Sequence, residues 1–331
     1  MTDTTDYIEH ACTLATHGWS IPAALTLPPS ARGDLPSAIL LVPGSLFSDV
    51  NGDYPSWNSF PHVYAHLARQ LSARGHAVYR FAKLGPGTGS EATDSERSAS
   101  VRNWGGRLRI ATAALDAMRR ELAARGIAVS RTIGAGHSEG SVVVSQLATS
   151  DRGADLDGVV LLAGPSVGLL GIMREQVGLM TPPDEVDAAI RRLDEVIAYI
   201  RRGEAVPAEL ASGPPGGATA LATMPEDARR YMRETDATDP TALAAAMRQP
   251  VLVVQGGEDS SVAPHHGERL RDTLLAREGR RPATEYLFVP EVSHMFKVVP
   301  PDVAGPAAFG YPGETDRRVT DGIDRWVRSL S

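Results

Sequence analysis

A serine lies at the centre of the pentapeptide Gly136-His-Ser-Glu-Gly140, and its hydroxyl is the first candidate for chemistry in this sequence. Glycines two residues before and two residues after a serine are typical of a strand-to-helix turn that exposes a nucleophilic hydroxyl. Serine is a weak nucleophile at neutral pH, so Ser138 would need a base and an acidic group that orients the base. The chain has 32 glycines, so the pattern counts only if the flanking segments form such a turn.

A candidate acid and a candidate base follow later in the chain, each just past an apolar run that predicts a strand. Asp259 comes five residues after the run 251–254, and His294 comes five residues after the run 286–289. The carboxyl ends of parallel strands share one edge of a sheet, where ligands bind. We therefore expect Ser138, Asp259 and His294 to meet at that edge.

Both later residues also have simpler interpretations. Asp259 could cap a helix that begins near Pro264, and its neighbour Glu258 could be the acid instead. His294 could be a loop residue without a role, although it is the only one of nine histidines beyond the last predicted core strand.

Attack on a carbonyl also requires hydrogen-bond donors for the oxyanion. We expect one from the backbone amide of Glu139 and the other from the amide of Ser45, which follows the first predicted core strand. A turn without a catalytic role is the other interpretation of Gly44-Ser45. The Glu139 carboxylate at a helix N-terminus is favourable by about 0.3–1 kcal/mol. We expect it to point away from the Ser138 hydroxyl and toward hydroxyls or amides near residues 45–51.

The elements that must position these residues are short apolar runs that alternate with amphipathic helical patterns. Five runs predict strands covered on both faces, namely residues 39–42, 78–81, 159–163, 251–254 and 286–289. Helical spacing is clear over residues 60–71 and 108–122. The alternation predicts an α/β fold with a mostly parallel central sheet flanked by helices. Residues 12–27 predict an antiparallel hairpin at the sheet edge, and the strand before Ser138, within residues 129–136, has the weakest signal.

The pattern changes between residues 166 and 248, where helical patterns and a Pro/Gly-rich loop occur without a convincing strand. This change predicts a helical cap inserted into a core domain formed by residues 1–165 and 249–331. Methionine adapts to irregular apolar shapes, and five of the eight methionines fall in the insertion. The residues expected to contact a medium-sized apolar substrate are Leu46, Phe47, Trp57, Met173, Met180 and Met295. Packing of the cap onto the core is the equally weighted alternative.

The composition excludes several classes of partner. A net charge of −7 and a pI near 5.7 argue against general attraction to nucleic acid or to anionic membranes. The single cysteine allows no internal disulfide, and we find no secretion signal and no apolar run of membrane-spanning length. The expected location is cytoplasmic. Lys83 and Lys297 are the only lysines among 33 basic residues, which we interpret as codon bias.

These motifs together resemble bacterial α/β-hydrolase-fold serine esterases of the Gly-His-Ser-Glu-Gly type, over roughly residues 25–330. The resemblance implies an α/β-hydrolase fold, a Ser138, Asp259 and His294 triad, and no metal or organic cofactor. Two positions depart from the family pattern. Residues 82–90 replace an Asp-Lys-Arg-Gly-like loop, and Ser141 stands where a second glycine is common.

The leading hypothesis is a serine carboxylester hydrolase that acts on a small, ester-like molecule through an acyl-enzyme on Ser138. The same residues could serve a thioesterase, a lactonase, an acyltransferase, or a lyase that eliminates a carboxylic acid. A ligand-binding protein that keeps the fold without turnover is the non-enzymatic alternative. The glycine-rich run at residues 85–89 matches neither a dinucleotide-binding nor a Walker pattern, so we interpret it as a loop at the sheet edge.

Overall fold

The computed structural model describes residues 6–29, 31, 33–213, 216–277, 283–303 and 305–330. The strands are β1 (Ile8–Thr16), β2 (Trp19–Leu27), β3 (Asp34–Leu35), β4 (Ala38–Val42), β5 (Ala77–Phe81), β6 (Glu91–Ala92), β7 (Ala128–Val129), β8 (Thr132–His137), β9 (Gly158–Leu162), β10 (Val251–Gly256) and β11 (Thr284–Val289). The α-helices are α1 (Val63–Ser72), α2 (Ser95–Ala99), α3 (Trp104–Ala124), α4 (Glu139–Thr149), α5 (Leu169–Met180), α6 (Val186–Arg202), α7 (Ala208–Ala211), α8 (Gly217–Ala222), α9 (Glu226–Asp236), α10 (Pro240–Ala246), α11 (Pro264–Leu275), α12 (Gly305–Phe309) and α13 (Arg317–Ser329).

Nine of these strands form one sheet in the order β1-β2-β5-β4-β8-β9-β10-β11, with β6 paired to β2. The strands from β5 to β11 in this order are parallel, and the pairings of β2 with β1, β5 and β6 are antiparallel. The predicted α/β class with a mostly parallel sheet is confirmed.

All five apolar runs form strands, but only four of them are covered on both faces of the sheet as predicted. The fifth, residues 286–289, lies at the edge of the sheet and is covered only in part, with Phe288 exposed. Every residue of β4, β5, β9 and β10 is buried, and the edge strand β11 is only partly buried. Helices α1 and α13 contribute to the core beside these strands, and Trp326 of α13 is fully buried there. Continuous apolar runs, rather than alternating ones, are what a parallel sheet with two covered faces requires.

The hairpin at the sheet edge is also present, formed by β1 and β2. Its two-residue turn, His17-Gly18, has φ values of +46° and +74°. Positive φ at both central positions is the geometry that matches the twist of a hairpin, and glycine adopts it without steric cost. The strand with the weakest signal, β8, lies between β4 and β9 in the centre of the sheet.

The chain divides into two compact units, one comprising Met1–Gly164 with Thr241–Ser331 and the other Pro165–Pro240. The second unit is helical in its described residues and has its own apolar core, which includes Leu170, Leu193 and Leu221. It ends before residues 241–248, which the sequence pattern assigned to the insertion. In the larger unit, Arg277 Nη1 donates hydrogen bonds to the carbonyls of Met247 and Gln249, which ties that segment to the sheet domain.

Within the described ranges, no helix combines the length and the apolar character that crossing a membrane would require.

Candidate active site

Ser138 occupies a sharp turn between β8, which ends at His137, and α4, which begins at Glu139. Its backbone has φ +55° and ψ −124°, a strained conformation for a residue other than glycine. Hydrogen bonds hold the turn, because the Ser138 amide donates to Leu162 O at 2.8 Å and the Ser141 amide donates to Ser138 O at 2.9 Å. The turn places Ser138 at the carboxyl end of a central strand.

Two glycines allow this turn to close against its neighbours. A Cβ atom on Gly136 would lie 2.1 Å from the carbonyl oxygen of Gly140, and one on Gly140 would lie 2.4 Å from the carbonyl oxygen of Val42. Real Cβ contacts are not that short, and the opposing atoms are backbone that cannot swing aside. The flanking glycines of the pentapeptide are therefore required by close backbone approach.

His294 and Asp259 form a buried hydrogen-bonded pair, with 2.8 Å between His294 Nδ1 and Asp259 Oδ2. The other carboxylate oxygen, Oδ1, accepts from the amides of Ser261 at 2.9 Å and Val262 at 2.8 Å. Glu258, the alternative acid, is exposed. The acid that contacts the histidine is Asp259, and its local amide bonds fix its orientation.

His294 sits in a tight turn that follows β11. The turn closes where the Ser293 amide donates to the Lys297 carbonyl at 2.9 Å. The buried Lys297 Nζ then donates to Tyr311 O at 2.8 Å and to Pro61 O, which anchors the turn to two other segments. Burial lowers the pKa of Lys297 to about 8.

The turn that carries His294 packs against the residue that precedes Ser138. The imidazole rings of His137 and His294 have centroids 4.7 Å apart, and His137 Nε2 lies 3.0 Å from the His294 carbonyl oxygen. Ser138, Asp259 and His294 are all at least nine-tenths buried. The structure thus brings the three segments predicted from the sequence to one edge of the sheet.

The loop after β4 runs beside Ser138. A Cβ atom on Gly44 would lie 3.2 Å from the Cβ of Ser138. The Gly44 amide donates to the Tyr64 hydroxyl at 2.8 Å, so this amide already has a hydrogen-bond acceptor within the protein. The following residue, Ser45, is the position at which the sequence places an oxyanion donor, and Leu46 after it turns the chain with φ +64°.

The Glu139 side chain is buried against two cations from other elements. Its Oε1 accepts from Lys83 Nζ at 2.9 Å and from Arg107 Nε at 3.1 Å. Arg107 Nη2 also donates to the carbonyls of Pro43 at 2.6 Å and Gly44 at 3.2 Å. Arg107 thus bridges the Glu139 carboxylate to the loop after β4. The sequence analysis instead expected the carboxylate to point toward hydroxyls or amides near residues 45–51.

Lys83 and Arg107 are the residues that sequence reasoning missed. Burial lowers the pKa of Lys83 to about 8, and the Glu139 carboxylate opposes this shift. One signal could have found Lys83. In a chain that uses arginine for all but two of its basic residues, both lysines, Lys83 and Lys297, are buried and hold segments of this site. Arg107 has no comparable signal, because it is one of many arginines along the chain.

The residues expected to contact a substrate fall into three environments. Leu46, Phe47 and Trp57 are exposed apolar side chains, and the Phe47 ring covers the backbone of Gly85. Met295 is only 1% exposed and packs in the sheet core, so its side chain serves packing.

The remaining two belong to the helical unit. Met173 packs on the apolar core of that unit, and Met180 is 80% exposed. Contact of Met173 and Met180 with a substrate stays a prediction.

Comparisons with known proteins agree with this architecture. A model described as the alpha/beta hydrolase family matches residues 39–304. Esterase EstD of Thermotoga maritima is 24% identical over 314 residues, which cover 93% of this chain and 65% of EstD. The chain therefore spans about two thirds of the length of that curated relative.

Solved structures share the fold at low sequence identity. One from a study of two fungal esterases of Rhizomucor miehei has a TM-score of 0.55 at 13% identity, covering 98% of this chain and 84% of its own. A puromycin-hydrolyzing peptidase of Mycobacterium tuberculosis has a TM-score of 0.54 at 18% identity, covering 97% of this chain and 39% of its own.

Proposed function

Since this chain belongs to the alpha/beta hydrolase family, we propose that it is a serine-dependent carboxylester hydrolase with Ser138, Asp259 and His294 as its triad. The observation that carries the proposal is the buried hydrogen bond between His294 and Asp259, beside the strained turn of Ser138. The similarity to EstD, an esterase, supports an ester as the bond that is cleaved.

The proposed reaction has two halves. His294 takes the proton of the Ser138 hydroxyl as its oxygen attacks the ester carbonyl, and Asp259 holds the imidazole with its Nδ1 proton facing the carboxylate. The alcohol leaves with the transferred proton, and the acyl group stays on Ser138. Water then attacks the acyl-enzyme with His294 again as base, which releases the acid and restores the serine.

The backbone amides of Ser45 and Glu139 are the proposed oxyanion donors. Both follow parallel strands that end at the same sheet edge, and the Gly44 position beside Ser45 approaches the Ser138 side chain closely. Glu139 is the first residue of α4, where backbone N–H groups point out along the helix axis and the helix dipole favours negative charge. One such donor contributes roughly 10²- to 10³-fold to kcat in serine hydrolases.

Ser138→Ala tests the proposed nucleophile. The variant should lose ester turnover and labelling by a fluorophosphonate probe while keeping its thermal unfolding midpoint. Ser145→Ala is the matched control, because Ser145 lies in α4 and its hydroxyl bonds only to the Ser141 carbonyl among the described residues. Wild-type turnover by Ser138→Ala would contradict the mechanism.

The mass of the intact protein after brief exposure to substrate separates the alternatives. An acylated Ser138 agrees with an esterase, thioesterase, lactonase or acyltransferase, and rates over matched esters, thioesters and lactones then rank them. A lyase that eliminates a carboxylic acid would turn over without an adduct. A ligand-binding protein would show neither turnover nor labelling.

We also propose a medium-sized apolar acyl or alcohol group in the substrate, supported by the exposed side chains of Leu46, Phe47 and Trp57 on the loop after β4. Trp57→Ala should raise KM for p-nitrophenyl octanoate roughly 3- to 10-fold and leave p-nitrophenyl acetate unchanged, because the longer chain loses apolar contact. Phe288→Ala, an exposed aromatic residue on β11, is the control. A strong wild-type preference for acetate would contradict the apolar site.

A further inference from the structure

We propose that Tyr64 and His137 are positioning residues that act through one series of hydrogen bonds. They hold in place the Gly44-Ser45 segment after β4 (the oxyanion turn) and the turn that carries His294. The inference rests on the proposed function, since it assigns these two residues to the catalytic arrangement described above. Neither side chain is assigned to the reacting atoms, so both would act through the backbone segments that they bind.

Three hydrogen bonds form this series. The Gly44 amide donates to the Tyr64 hydroxyl oxygen at 2.8 Å, and that oxygen lies 3.2 Å from His137 Nδ1. His137 Nε2 in turn lies 3.0 Å from the carbonyl oxygen of His294. The imidazole and phenol rings also meet edge to face, with centroids 5.7 Å apart. All these groups are buried.

Only one arrangement of protons satisfies all three bonds when the imidazole is neutral. A backbone amide can only donate, and a backbone carbonyl can only accept. His137 must therefore carry its proton on Nε2 to bind the His294 carbonyl, which makes Nδ1 an acceptor. The Tyr64 hydroxyl then donates to Nδ1 and accepts from Gly44. All three hydrogen bonds therefore donate in the same direction, from the Gly44 amide toward the His294 carbonyl.

Burial keeps both side chains in these neutral forms. Desolvation lowers the pKa of His137 to about 3, and nearby His294 adds to this effect. Desolvation also raises the pKa of Tyr64 to about 12. Neither group changes charge across the pH range of an esterase assay. A buried polar group that loses its partner is unfavourable, so breaking one of these hydrogen bonds favours movement of the segments that it joins.

The three segments joined by the series are those that the proposed reaction must align. Gly44 precedes Ser45, the proposed oxyanion donor, and His137 precedes the nucleophile Ser138. The third segment is the turn of the base, His294. A displacement of about 1 Å at an active site can cost on the order of 10²-fold in rate, so a link between these segments affects kcat more than substrate binding.

Tyr64→Phe removes the central hydroxyl and keeps the ring. We expect kcat for a p-nitrophenyl ester to fall roughly 10- to 100-fold, with KM within about threefold of wild type, because alignment is lost and the substrate surface is kept. The rate of fluorophosphonate labelling should fall in parallel. Tyr79→Phe is the matched control. Tyr79 is also a buried tyrosine, and its hydroxyl has no hydrogen-bond partner among the described residues.

Two substitutions of His137 test its two hydrogen bonds separately. The amide of His137→Asn can occupy the place of Nδ1 and accept from Tyr64, but it cannot reach the His294 carbonyl. The amide of His137→Gln can occupy the place of Nε2 and donate to that carbonyl, but it leaves Tyr64 unpaired. We expect each variant to have a kcat below wild type at similar KM. These variants also test the series if Tyr64→Phe fails to fold.

Equal kcat in Tyr64→Phe and Tyr79→Phe, or wild-type kcat in both His137 variants, would overturn the inference. Ser138→Ala in the same assay keeps this outcome distinct from failure of the proposed function. If Ser138→Ala is inactive and Tyr64→Phe is fully active, the positioning role alone is wrong. If Ser138→Ala is fully active, the proposed function is wrong.

Discussion

Glu139 and Lys83 form a buried ion pair, with 2.9 Å between the carboxylate Oε1 and the ammonium Nζ. This pair explains how an acidic residue is tolerated directly after the candidate nucleophile. The carboxylate charge is matched by Lys83 and by Arg107, and Arg107 also binds the carbonyls of Pro43 and Gly44. The side chain of Glu139 therefore connects the start of α4 to the loop after β4.

We expect Lys83→Met to destabilise the protein and to lower kcat. Removing one member of a buried pair costs about 3–5 kcal/mol, and the remaining Arg107 should limit the loss to about 2–3 kcal/mol. The free energy of unfolding in urea measures this loss. Arg119→Met is the control, because its partner Asp155 is largely exposed and such pairs contribute less than about 1 kcal/mol. Equal losses in the two variants would contradict a structural role for the buried pair.

Asp259→Asn should lower kcat by about 10³- to 10⁴-fold with little change in KM. The asparagine amide favours an imidazole whose proton is on the wrong nitrogen, and a loss of this size is known for the equivalent change in a serine protease. Glu258→Gln, which alters the exposed neighbour, should keep kcat within about twofold of wild type. Steady-state kinetics on one ester decide between the two acids. A larger loss in Glu258→Gln would reverse their assignment.

His137 should make stability sensitive to acid. Its pKa is about 3 in the folded protein and about 6.5 when unfolded, so between these values the unfolded chain binds more protons. The free energy of unfolding therefore falls as the pH falls from about 6.5 toward 3, by up to about 1.4 kcal/mol per pH unit from this group.

Urea unfolding of His137→Asn at several pH values measures this contribution. The slope of the unfolding free energy against pH should be shallower than that of wild type. The difference corresponds to about one proton that the unfolded wild-type protein binds and the folded one does not. Tyr64→Phe keeps the imidazole and should keep the wild-type slope. Identical slopes in wild type and His137→Asn would show that His137 does not stay neutral.

Gly136→Ala should disrupt the turn of Ser138. The new methyl group would lie 2.1 Å from the Gly140 carbonyl oxygen, so α4 must move away and both kcat and stability should fall. We expect a loss above about 3 kcal/mol in unfolding free energy, as for severe overpacking. Gly178→Ala is the control. Gly178 lies in α5, and among the described residues a Cβ there would meet only the side chain of Ile190 in α6, at 3.8 Å. That change should stabilise by about 0.5–1 kcal/mol, since alanine favours helix. A stable, active Gly136→Ala would contradict the tight turn.

The α/β class and the order of elements could be predicted because they depend on local patterns. Apolar runs covered on both faces, helical spacing and the His17-Gly18 turn each act over a few residues, and the predicted sheet and hairpin are present. Strand β8 was hard to predict for a physical reason. A Cβ on its Gly134 would lie 2.7 Å from Val144 of α4, so close packing selects glycine where strand propensity would select a β-branched residue.

The sequence by itself determined where the candidate nucleophile, acid and base stand in the chain, because each follows a strand signal. Only the tertiary structure decided what surrounds them. Glu139 pairs with Lys83 and Arg107, and Tyr64 joins Gly44 to His137, across separations of 20 to 73 residues. Such contacts leave no periodic signal in the sequence. They arise when the strands align and the helices pack, which brings side chains from distant segments to the same edge of the sheet.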